Sequence, residues 1–74
     1  MNRITLIGNL TKDPETRTTP NGNTVCSFTV AVNRKKVSEP QTDFFRVNAW
    51  GKLGEMISQY AHKGSGVLVS GRLD

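Results

Sequence analysis

Ten residues from Thr24 to Asn33 give the strongest β signal in the chain and constrain its fold more than any other stretch. Cys26, Phe28, Val30 and Val32 fall on one side of an extended strand. Val25, Ser27, Thr29, Ala31 and Asn33 fall on the other, a mostly small set that something else can approach closely. A second alternating run begins at Thr42. Its odd positions, Phe45, Val47 and Ala49, make an ordinary core-facing set. Its even positions carry Phe44, Arg46, Asn48 and Trp50, where a solvent face should be polar. The two runs form a hairpin whose tip holds Arg34, Lys35 and Lys36.

The remaining elements follow from the same rules. Ile4 to Leu10 reads as the first strand, with Ile4, Leu6 and Leu10 on one face. Gly8 shares that face, where a missing side chain marks a bend or a close backbone approach. Thr11 to Asn23 reads as a polar connection, with a turn at Thr19-Pro20-Asn21-Gly22. Gly51 leads into a helix whose apolar stripe is Leu53, Met56, Ile57, Tyr60 and Ala61. His62 and Lys63 are expected in its last turn, with Gly64 as the cap beyond. Gly66 to Leu73 reads as the fourth strand, with Val67, Val69 and Leu73 together. Tyr60, Phe28 and Phe45 read as core, Cys26 as a small buried hydrophobe, and Asp13 and Glu15 as solvated.

With 74 residues there is room for one small domain, and one cysteine excludes an internal disulfide. A core this thin calls for association with other chains. Ten Lys and Arg against six Asp and Glu give a net charge of +4, which permits a polyanionic partner without requiring one. No secretory pattern and no stretch of membrane-spanning length follows Met1, so a cytoplasmic protein with no membrane contact is expected. No Gly-rich phosphate loop, nucleophile with a base, or paired carboxylates suggests an enzyme, and no metal or other cofactor is implied.

Phe44 and Trp50 are two of five aromatic residues, and six strand residues place them roughly 20 Å apart. Flat rings along a sheet with a cation between them form a surface on which unstacked bases can lie. The alternative is that one ring covers a barrel end and the other packs under a loop. Three strands, a helix and a fourth strand match an oligonucleotide-binding (OB) fold, a five-stranded Greek-key barrel, lacking its C-terminal hairpin and fifth strand.

The segments MNRITLIGNLTKDPETRTTPNG, CSFTVAVNR and DFFRVNAWGKLGEMISQYAHKGSGVLVSGRL together resemble the bacterial single-stranded DNA-binding proteins over the whole chain. That resemblance implies a single OB-fold domain over 1–74, usually assembled as a homotetramer. It would coat single strands without much sequence preference in replication, repair and recombination, in the cytoplasm at the nucleoid. Phe44 and Trp50 match base-stacking positions. Arg46 and Lys52 match basic positions near the phosphate path, and Arg3 and Arg17 match further basic positions. Arg72 is a candidate on resemblance and position; Arg34, Lys35 and Lys36 are either a solvated tip or a guide for the strand. At Lys36 the family often has a tryptophan, so stacking is not expected there. Family members also continue into a basic hairpin, a linker and an acidic tail that docks protein partners. With none of that in the sequence, such partners are not expected, and an open sheet edge invites self-association. The competing function is an interaction module resembling a primosomal replication protein, which docks on protein partners as well as DNA.

Overall fold

The structure is a computed structural model of the chain and describes residues 2–34 and 39–73. Its strands are β1 (Arg3–Leu10), β2 (Glu15–Thr18), β3 (Thr24–Arg34), β4 (Gln41–Trp50) and β5 (Gly66–Arg72), with one helix, α1 (Gly51–Tyr60), between β4 and β5. All pairings are antiparallel. The expected order of strands, helix and last strand is therefore present, and β2 is additional. Its four residues, ETRT, are all exposed, so no apolar alternation announces it.

Strand β3 is the centre of the sheet. One of its edges pairs with β4 along its whole length, from Val25↔Trp50 to Arg34↔Gln41. The other edge is shared: Thr24 to Ser27 pair with β2, and Val30 and Ala31 pair with β1. Strand β5 then pairs with β1 from Arg3↔Arg72 to Asn9↔Gly66. Strand β3 switches from β2 to β1 between Ser27 and Val30, and β1 then passes close over Ala31 at Gly8. A Cβ there would stand 2.2 Å from the Ala31 carbonyl oxygen, so only glycine allows this approach.

The core lies under β3. Leu10, Cys26, Phe28, Val30 and Ala49 are buried, and Val32, Val47, Ile57, Ala61, Val67 and Val69 pack against them. Burying a side chain such as Phe28 contributes about 1.5–3 kcal/mol. Val25 and Ser27 are buried as well, although the strand pattern puts them on the outer face. Their register explains this. Val25 sits between Arg17 and Trp50, and Ser27 between Glu15 and Asn48, so longer neighbours close over both from two strands.

The helix departs furthest from expectation. Gly51 adopts a φ of +64°, which swings the chain from β4 into α1. The helix then docks through Gly54 and Ile57, with Ala61 just beyond its end, rather than through the full apolar stripe. A Cβ on Gly54 would lie 2.4 Å from the Ala49 carbonyl oxygen, so the helix backbone rests almost directly on the sheet. Leu53, Met56 and Tyr60 are turned outward, and Tyr60 is 71% exposed rather than part of the core.

The helix also ends earlier than its periodicity suggests, leaving His62 and Lys63 outside it. Ala61 is already extended, with φ −92° and ψ 146°. Tertiary hydrogen bonds draw the chain away: Lys63 N–H donates to Asp13 Oδ1 at 2.7 Å, and Gly64 N–H donates to the Leu10 carbonyl at 2.9 Å. Asp13 is exposed, as expected, and also ties the β1–β2 connection to the helix exit. Leu73, expected to face inward with Val67 and Val69, lies beyond β5 and is half-exposed. The Thr19–Gly22 turn forms as its sequence requires, with Gly22 N–H donating to the Thr19 carbonyl at 2.9 Å.

Candidate nucleic-acid interface

Residues directly opposite each other in an antiparallel pair project to the same face. The β3–β4 register therefore assembles one surface from two alternating sets: Val25 beside Trp50, Ser27 beside Asn48, Thr29 beside Arg46, and Ala31 beside Phe44. Small residues from β3 form the floor, and the large and polar residues of β4 stand along it. Phe44 is 65% exposed and Trp50 is 56% exposed, so neither ring is absorbed by the core or by a loop. Phe28 and Ala49 are buried on the opposite side, and Phe45 and Val47 are half-buried there. The strand therefore divides its two sides between packing and display.

Arg46 stands exposed between the rings, and its Nη1 donates to Thr29 Oγ1 at 3.4 Å. That contact leans the guanidinium over the small-residue floor while leaving most of its donors for another acceptor. Strand β2 extends the same surface. Arg17 is opposite Val25, in one row with Trp50, and Glu15 is opposite Ser27. Beyond Glu15 a polar cleft of about 120 Å³ opens between the β1–β2 connection and Arg46, lined by Thr11, Lys12, Glu15, Ser27 and Thr29.

Two exposed rings with cations on a single face, over a floor of small side chains, are an arrangement on which unstacked bases can lie. Across its whole length, residues 1–74, the sequence matches the model of the single-strand binding protein family. The chain belongs to that family. It is 47% identical to the single-stranded DNA-binding protein of Bacillus cereus over 99% of this chain and 45% of the relative. It is 45% identical to single-stranded DNA-binding protein A of Bacillus subtilis, covering 99% of this chain and 44% of the relative. Against single-stranded DNA-binding protein 3 of Clostridium acetobutylicum the identity is 47%, over 99% and 53%. The chain spans about half the length of these curated relatives.

The other candidate residues fall into three groups. Lys52 is exposed in the first turn of α1, two residues beyond Trp50, where it can extend the platform. Arg34 is committed elsewhere: its Nε lies 2.7 Å from Asp43 Oδ2 and its Nη2 donates to Gln41 Oε1 at 2.7 Å, clamping the hairpin at the start of its tip. Arg3 and Arg72 are opposite each other across β1 and β5, on a different wing of the sheet from Phe44 and Trp50. Lys35 and Lys36 lie outside the described residues. One pair escaped the list of candidates altogether: the buried Ser27 hydroxyl donates to Asn48 Oδ1 at 2.7 Å in the middle of the platform. The signal was present, because Asn48 shares the alternating face with both rings and the hairpin register puts Ser27 opposite.

Among the described residues, no helix is long and apolar enough to cross a membrane.

Proposed function

We propose that the chain binds single-stranded DNA with little sequence preference, stacking bases on Phe44 and Trp50 and neutralising phosphates with Arg46, Arg17 and Lys52. The observation that carries this reading is the exposure of both rings on one face with Arg46 between them. The relatives are named as single-stranded DNA-binding proteins, and family membership supports an OB-type domain over 1–74. The role is binding rather than catalysis, in bacterial replication, repair and recombination at the nucleoid. Every base has a π-face, so stacking tolerates any sequence, at about 1–3 kcal/mol per base on each ring. The contribution of Arg34, Arg3 and Arg72 is smaller: the first is neutralised by Asp43, and the other two are a long-range positive field.

Self-association belongs to the same proposal. Ile7 and Leu68 face each other across β1 and β5, each 68% exposed, and form an apolar pair on the outer face of that wing. A second copy laid on this face would remove both from water. Sedimentation at micromolar concentration should give a dimer or larger species, and a stable monomer would contradict this part.

DNA binding is tested by fluorescence anisotropy of labelled oligo-dT at two salt concentrations. Affinity should fall steeply with salt, because each neutralised phosphate releases counterions. The double variant Phe44→Ala, Trp50→Ala should lose binding at both. A wild-type chain that does not bind at low salt refutes the proposal.

A further inference from the structure

Asn48 sits on β4 midway between Arg46 and Trp50, exposed on the platform. Opposite it, Ser27 is only 3% exposed. A buried hydroxyl has to place its proton on an acceptor, and Ser27 Oγ donates to Asn48 Oδ1 at 2.7 Å. The carboxamide is planar, so holding its oxygen toward β3 turns its NH₂ the other way. No described residue accepts from that NH₂. The side chain therefore offers the platform a donor, with its acceptor already engaged.

We infer that Asn48, oriented by Ser27, is a base-edge donor that tilts the platform toward keto-bearing bases, thymine or uracil, over adenine. This rests on the single-stranded DNA reading above and adds a preference to it. Stacking on Phe44 and Trp50 does not distinguish bases; a fixed donor between the rings does. Thymine carries keto oxygens on both sides of its N3–H, so whichever way the base lies, one oxygen faces the donor. Adenine sets an amino donor beside its ring acceptor, so half of its placements oppose donor to donor. The two-point asparagine–adenine pair also needs the amide oxygen to accept from the adenine amino group. Ser27 holds that oxygen toward β3. Ser27 is a positioning residue here, and Asn48 is the contacting one.

The test compares affinities for oligo-dT and oligo-dA of one length in the wild type, Asn48→Asp and Ser27→Ala, each checked for folding by thermal melting. Asn48→Asp keeps an acceptor for Ser27 but replaces the outward donor with an acceptor. Its added charge repels the phosphates of both oligonucleotides alike, and the self-stacking of oligo-dA is common to all variants. The dT-to-dA affinity ratio thus isolates the edge contact. That ratio should fall about 2- to 10-fold in Asn48→Asp, the range expected for one hydrogen bond, and part of the way in Ser27→Ala, whose amide is free to turn over. Should Asn48→Asp not fold, the Ser27→Ala ratio decides alone. Folded variants that bind DNA with an unchanged ratio overturn this inference and leave the DNA reading intact. A wild type that binds neither oligonucleotide at low salt overturns the DNA reading and this inference with it.

Discussion

The hairpin of β3 and β4 and the wing formed by β1 and β5 solve the same problem to different degrees. In the hairpin, one face is core and the other is a floor of small residues closed over by longer neighbours, so β3 is buried almost throughout its first seven residues. In the wing, β5 alternates between exposed and half-buried positions without one fully buried side chain. The helix, docked on β3 and β4 at Gly54, likewise leaves Leu53, Met56 and Tyr60 outside. A short chain has little interior, and most of it lies beneath the hairpin that carries Phe44 and Trp50.

The largest effects should come from removing the support beneath the platform. Phe28→Ala should cost about 3–5 kcal/mol in urea unfolding, while Tyr60→Ala, on the exposed side of α1, should change stability by about 0.5 kcal/mol or less. Equal costs would erase the contrast between the supported and the exposed positions. Gly54→Ala probes the tight contact between α1 and the sheet. Alanine gains about 1 kcal/mol of helix propensity over glycine, but its methyl would meet the Ala49 carbonyl, a backbone atom that cannot rotate aside. The net result should be a loss of about 1–3 kcal/mol. Gly71→Ala, with nothing within 4 Å of its Cβ, should be tolerated.

Trp50→Ala separates display from support. It should weaken oligo-dT binding by about 1–3 kcal/mol with a much smaller change in melting temperature than Phe28→Ala. A small effect is expected of Asp43→Asn. Its pair with Arg34 is solvent-exposed and should contribute about 0–1 kcal/mol to stability. Freed from Asp43, Arg34 should then raise DNA affinity slightly, most visibly at low salt.

How far each region could be read from sequence follows from the same contrast. Strands β3 and β4 are legible because their faces have different tasks, which writes a period of two into the residues. Strand β2 is illegible because all its side chains meet water, and only its backbone is used. The burial of Val25 and Ser27 depends on Arg17, Glu15, Trp50 and Asn48 arriving from two other strands, which no local pattern contains. For α1 the period of the apolar stripe was visible but not its rotation, since the contact is centred on Gly54, a residue with no side chain to signal burial. The helix exit was misplaced because Asp13, some fifty residues earlier, competes for the Lys63 amide. The shared exposed face of Phe44, Arg46 and Trp50 was legible because aromatic residues where a strand should be polar are a local anomaly. Arg34 was not, because its neutralisation by Asp43 requires the hairpin register.

The central claim is that the indole of Trp50 lies open along β4 and takes up a base. Trp50 is the sole tryptophan, so its emission reports on that one position. Titration with oligo-dT at low salt should quench it, with saturation at the concentration where anisotropy shows the DNA bound. Emission that stays constant while the DNA is fully bound would place the binding surface elsewhere and contradict the account.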